Sequence, residues 1–291
     1  MPIIRGSLAF SCYVINTLFW MCPILAFGLL KLIPFKPSKT LGNYVLDHCA
    51  SGWITVNGLI ERLFHSVQID ISGTQQFQKN DWYMITANHQ SWVDILILQR
   101  VFNRKIPFIK FFLKKELIYV PVLGLAWWAL DFPFMRRYTS SQIRKNPKLK
   151  GKDIEVTRKA CEKFKHKPVS IMNFVEGTRF TSEKHQQQKS PYQHLLRPKA
   201  GGLAFALSSM EGCMNKMIDV TIYYPEGIPS FWQFISGQMQ HVKVYIEMSD
   251  IDPSLIGDYA NDKPFKQYFQ QQLSQRWEHK DTILQNFKTH P

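Results

Sequence analysis

The chain has 291 residues, 45% hydrophobic and 20% charged, which supplies a substantial core and excludes a disordered polymer. Its five cysteines (Cys12, Cys22, Cys49, Cys161 and Cys213) form no CxxC pair and no disulfide framework, which argues against a zinc site and points to a reducing compartment. The formal net charge of +14 is concentrated, because between Arg100 and Lys167 there are 18 Lys or Arg against 5 Asp or Glu.

Such a basic field draws anions over roughly a Debye length, about 8–10 Å. Nucleic acid, an acidic membrane surface, a phosphorylated substrate and an acidic carrier all fit it, and so does a plain solvated charge run. Aromatic residues reach 14%, with 21 Phe and 8 Trp, a composition suited to lipid headgroups. No nucleic-acid-binding motif accompanies the charge, so a nucleic-acid partner is not expected.

Leu8–Leu30 carries no formal charge. As a helix this segment is about 35 Å long, enough to cross a bilayer core. No small-x-small cleavage pattern closes it, which favours a retained anchor over a signal peptide. Pro23 leaves two arrangements open: one span, or two short helices entering and leaving one leaflet. Lys31, Lys36 and Lys39 after the run place the downstream chain in the cytoplasm. Residues 40–65 repeat apolar side chains at helical spacing and join the anchor to the body. The expected division is 1–65, anchor and linker helix, and 66–291, catalytic domain.

Beyond the linker, Val67–Ile71 alternates as a strand ending at Gly73, Trp82–Ala87 is a short apolar strand, and Trp92–Phe102 reads as a helix. Residues 106–135 are heavily apolar, either core or a second surface dipping into the membrane interface. A charged helix is expected over Lys150–Lys165, a buried strand over Val169–Val175, and a helix over Ala200–Met210. Met217–Tyr223 and Val242–Glu247 read as strands, and Lys263–Leu284 as a terminal helix. Lys184–Lys189, with three successive glutamines, reads as a polar loop. Strands alternating with helices predict an α/β fold: a largely parallel central sheet flanked by helices, behind an N-terminal membrane-anchoring helical segment.

Two short stretches carry chemistry. In Asn88-His89-Gln90-Ser91-Trp92-Val93-Asp94, His89 and Asp94 are five apart, which on a regular helix separates them by about 140° around the axis. They meet only if His89 stands before the helix, at the end of the preceding strand, where catalytic groups collect in open α/β sheets. Asp94 would then fix the imidazole tautomer and leave the other ring nitrogen to accept a proton. A capped helix with a structural histidine is the plain alternative. In Phe174-Val175-Glu176-Gly177-Thr178-Arg179-Phe180, a buried strand runs into a turn ending on Arg179, whose planar fork suits phosphate. Gly177 permits an unusual turn, and Glu176 either orients Arg179 or holds an acceptor hydroxyl. Between the two, Arg136 and Arg137 follow an apolar run as a cationic pair.

His89 with Asp94, followed about 80 residues later by Glu176-Gly177-Thr178-Arg179, resembles the glycerolipid acyltransferase family of the 1-acylglycerol-3-phosphate acyltransferases, whose motifs are NHxxxxD and FxEGTR. The resemblance covers roughly residues 65–225. Of the family's Gly-x-x-Phe-x-x-Arg pattern, Phe134 and Arg137 fit while Asp131 stands in place of Gly, and Val220-Thr221-Ile222 replaces a Val-Pro-Val core. The sequence after Arg179 looks like the YihG-type bacterial inner-membrane branch. The resemblance implies that His89 deprotonates the sn-2 hydroxyl of lysophosphatidic acid and Asp94 orients it. It implies that Arg137, Glu176, Gly177, Thr178 and Arg179 hold the acceptor. It implies acyl-coenzyme A or acyl carrier protein as donor, no cofactor or metal, an anionic phospholipid membrane as partner, and a catalytic domain on the cytoplasmic face of a bacterial inner membrane. A catalytically silent lipid-binding protein of the same fold is the other reading.

Overall fold

The computed structural model describes residues 2–65, 67–135, 144, 146, 161–162, 164–165, 167–210 and 213–289. The chain opens with two long helices, α1 (Pro2–Leu30) and α2 (Lys36–Phe64), packed side by side in opposite directions. Pro23 lies within α1 without dividing it, so the two-helix arrangement of the apolar run is not formed. Polar contacts fix the register of the pair: Asn16 Nδ2 donates to Asn57 Oδ1 (2.8 Å) and to the Trp53 carbonyl (3.1 Å). Gly52 lets the Trp20 ring lie directly on the α2 backbone, where a Cβ would meet it at 2.4 Å. Among the described residues α1 is the helix long and apolar enough to cross a membrane, and 28% of its most apolar window is buried against the protein. Ile3, Ile4, Leu8, Ile15 and Phe19 point outward.

The body follows as β1 (Gln68–Gly73), β2 (Tyr83–Ala87), α3 (Val93–Phe102), β3 (Ile109–Phe111), β4 (Leu113–Lys114), α4 (Leu123–Ala129), β5 (Phe134–Met135), β6 (Ser170–Asn173), α5 (Ser182–Gln188), α6 (Ala200–Ser209), β7 (Lys216–Tyr223), α7 (Phe231–Ile235), β8 (His241–Asp250) and α8 (Lys263–Thr289). Six strands form one sheet in the order β1-β8-β7-β2-β6-β3, and β4 pairs with β5 apart from it. Every pairing in the large sheet is parallel except β7 with β8. The fold is therefore α/β with a mostly parallel sheet flanked by helices. Central strands β2 and β6 are buried at every position, as parallel strands covered on both faces must be. One apolar layer joins the sheet to α1, α2 and α3, with Ile24, Leu46, Ile85, Ile97 and Ile218 in it. The other packs α6 and α8 on the opposite face through Met84, Ile171, Leu203, Phe269 and Trp277.

Two local readings change. Residues 106–135 are core on one side and surface on the other: Ala126, Ala129, Leu130 and Phe132 are buried, while Tyr119, Leu125 and Trp128 are exposed. Lys184–Lys189 is not a loop. Its first five residues belong to α5, capped by Thr181, whose hydroxyl accepts from the Lys184 amide, and closed by Lys189 at φ +46°. A helix with no buried residue has no apolar period to betray it, and here the caps define it. Most of the expected helix Lys150–Lys165 lies outside the described residues.

Candidate active site

Three neighbouring parallel strands, β7, β2 and β6, deliver their carboxyl ends to one place. His89 stands two residues past β2 and four before α3, off the helix, as its spacing to Asp94 requires. The buried Asn88 locks this junction to β7: its side-chain amide donates to the Ile222 carbonyl (2.9 Å) and its oxygen accepts from the Ile222 amide (2.8 Å).

His89 Nδ1 lies 2.8 Å from Asp94 Oδ2, and the Asp94 side chain is fully buried. The same Asp94 oxygen accepts from the backbone amides of Gln90 (2.6 Å) and Ser91 (2.9 Å). An aspartate in the first helical turn thus satisfies amides that have no partner within the helix, and its charge suits that end. Asp94 Oδ1 accepts from the Tyr224 hydroxyl at 2.6 Å. Burial, followed by the Asp94 charge, pushes the Tyr224 phenol well above its ordinary pKa, so this hydroxyl stays a donor. A carboxylate at Nδ1 holds the proton of a neutral imidazole on that nitrogen and leaves Nε2 with a lone pair. Nε2 has no hydrogen-bond partner among the described residues, and the ring keeps 13% of its side-chain surface open. Phe174, just past β6, stacks on the imidazole with centroids 3.9 Å apart and planes at 14°.

Glu176 is fully buried two residues on. Burial raises its carboxyl well above the ordinary range. The backbone amides of His89 and Leu196 oppose that rise, and Asp94 adds to it. Among the described residues neither oxygen meets a donor in good hydrogen-bond geometry, and no bond joins Glu176 to Arg179. Gly177 takes φ +69°, a conformation side chains disfavour, and its amide closes the turn on the Phe174 carbonyl (2.9 Å). Arg179 instead lays its guanidinium over the Trp92 ring at 4.9 Å, beside the amino end of α3. The amide of Phe180 donates to the His89 carbonyl at 2.7 Å, stitching the two motifs together.

A sequence profile of the Acyltransferase family matches residues 68–225, which takes in this whole arrangement. The chain belongs to the Acyltransferase family. It is 26% identical over 142 residues to the 1-acyl-sn-glycerol-3-phosphate acyltransferase delta of Bos taurus, a match covering 46% of this chain and 35% of that protein. It is 24% identical over 242 residues to an uncharacterized acyltransferase of Saccharomyces cerevisiae, covering 72% of this chain and 60% of the yeast protein. In both cases the matched stretch is less than two thirds of the relative's length. The crystal structure of the 1-acyl-sn-glycerophosphate acyltransferase PlsC from Thermotoga maritima shares the fold, with a TM-score of 0.51 and 17% identity, covering 94% of this chain and 97% of that one.

Arg136 and Arg137 lie outside the described residues. Asp131, in the place of a glycine, takes φ +56°, a left-handed conformation that aspartate visits more readily than most residues, and its carboxylate pairs with Lys31 at the α1–α2 turn. Thr221, in the place of a proline, offers its hydroxyl to Lys280 of α8 (3.2 Å), whose ammonium also meets the Val220 carbonyl (2.7 Å) and Asp219 (3.0 Å). Tyr224 is an addition that the motifs do not announce; Phe174 and Asn88 are motif residues whose stacking and clamping roles the motifs leave unsaid. The one local signal for Tyr224 is its place at the carboxyl end of a strand.

Proposed function

We propose that this acyltransferase moves a fatty acyl group from an acyl thioester, on coenzyme A or an acyl carrier protein, to the sn-2 hydroxyl of lysophosphatidic acid or a related lysophospholipid. His89 acts as general base through Nε2. The acceptor oxygen attacks the thioester carbonyl as its proton passes to His89, and the carbon–sulfur bond then breaks. His89 returns the proton to the departing thiolate, giving the acylated lipid and a free thiol. Asp94 holds the tautomer and steadies the imidazolium formed in passing. Glu176, Gly177, Thr178 and Arg179, with Arg137, bind the glycerol phosphate. Residues 1–65 anchor the enzyme, and residues 66–291 form the catalytic domain, on the cytoplasmic face of a bacterial inner membrane. The anionic membrane and the phosphorylated substrates are the partners of the basic stretch.

The observation that carries this reading is the 2.8 Å contact between His89 Nδ1 and a buried Asp94 carboxylate, with Nε2 left without a partner among the described residues. The test is a matrix of purified enzyme with acyl-coenzyme A and acyl-carrier donors of several lengths against several lysophospholipids. Formation of diacyl product with stoichiometric thiol release supports it. Membrane binding with no thioester consumption against every acceptor contradicts it.

A further inference from the structure

Lys184 stands in the first turn of α5, the helix that replaces the expected loop. Its ammonium reaches back to the motif turn, donating to Thr178 Oγ1 at 2.8 Å and to the Arg179 carbonyl at 3.0 Å. Both acceptors are neutral, and an ammonium has three donors, so these two bonds leave one donor over and neutralise none of the charge. Among the described residues no carboxylate bonds to Lys184 or to the Arg179 guanidinium, which rests on the Trp92 face with its donor fork unused. The neighbouring acid, Glu183, is exposed; its carboxylate is bonded by its own backbone amide and by the Thr181 hydroxyl, and the Lys184 charge acts on it through space without a bond. Glu176 is buried, and burial favours its neutral form. The turn therefore presents two cations and no bonded anion beside His89, to whose carbonyl the Phe180 amide ties it.

We infer that Lys184 is a specificity-determining residue of the acceptor site: with Arg179 it makes the turn a two-cation seat that selects a phosphomonoester lysolipid over a phosphodiester one. A terminal phosphomonoester carries between one and a half and about two negative charges at neutral pH, whereas a diester carries one and presents fewer free oxygens. This rests on the reading that the turn binds the acceptor phosphate.

The test compares kcat/KM for lysophosphatidic acid and lysophosphatidylglycerol, with one acyl donor in matched micelles, for the wild type, Lys184→Met, Lys184→Gln and Lys184→Arg. The wild type should favour the monoester, and Lys184→Met should cut that preference by about tenfold, the worth of a charge-assisted contact. The loss should fall on KM for the monoester. Lys184→Gln, which keeps hydrogen-bonding capacity without charge, should lose the preference equally, and Lys184→Arg should restore it. An unchanged ratio in Lys184→Met overturns the inference, as does an equal loss on both acceptors, which marks mere bracing of the turn. If the wild type acylates only the diester, this inference fails while acyl transfer stands. If it acylates neither, both fail.

Discussion

The Tyr224 hydroxyl reaches Asp94 Oδ1 at 2.6 Å from just past β7, while His89 takes the other Asp94 oxygen from just past β2. The aspartate that orients the histidine is thus itself oriented by a residue 130 positions away in sequence. Tyr224→Phe leaves one buried carboxylate oxygen without its donor. We predict a loss of stability of about 1–3 kcal/mol and a fall in kcat of about tenfold, with KM for the acceptor little changed. Denaturant unfolding and steady-state kinetics of the single variant check both parts.

Glu176 gives the fold a pH dependence. Its folded pKa is raised by burial, so between the unfolded value and the folded one the native state keeps a proton that the unfolded chain has released. Stability therefore falls as pH rises from the unfolded glutamate pKa, near about 4.3, and levels off only above the folded pKa. Glu176→Gln should flatten this slope and raise the thermal midpoint at pH 8 relative to the wild type, while weakening acceptor binding. A steeper slope in the variant would contradict the assignment.

Lys280 and Asp219 form an ion pair beneath the site, with the Thr86 hydroxyl on the same Asp219 oxygen. Burial lowers the Lys280 pKa, and Asp219 supports its charge. Lys280→Met strands a carboxylate in the core and should cost about 3 kcal/mol or more, whereas Lys280→Met with Asp219→Asn should recover part of it. Denaturant midpoints of the three variants give the coupling.

At Asp131 backbone and side chain are separable. Asp131→Gly keeps the φ +56° turn and removes the carboxylate that pairs with Lys31 and supports the charge of Lys110, so its denaturant midpoint isolates the side-chain loss from backbone strain. Asp131→Val adds a β-branched side chain at positive φ and should cost about 2 kcal/mol or more.

The position of His89 was legible because two periods meet there: a strand of period two stops at Ala87 and a helix starts at Val93, leaving the histidine between them. The helices and strands with apolar periods were legible for the same reason, down to Gly73 at the end of β1. Helix α5 was not, since its side chains are polar all round and its stability is set by Thr181 and Lys189 at its ends. Tyr224 and the stacking of Phe174 on His89 were not, because they depend on β7 and β6 flanking β2, a pairing that no local pattern encodes. The reversal of β8 against β7 is hidden for a related reason, the alternation of a strand being the same in either direction.

The central claim, that His89 Nε2 takes the acceptor proton, is tested most directly by following thiol release from an acyl thioester with lysophosphatidic acid as acceptor, for the wild type and His89→Ala side by side. Far-ultraviolet circular dichroism and vesicle flotation serve as folding and membrane controls. The account predicts a loss of about 10²–10⁴-fold in turnover, the usual worth of a general base, with folding and membrane binding retained. Turnover within a few-fold of the wild type in a folded His89→Ala variant would contradict it.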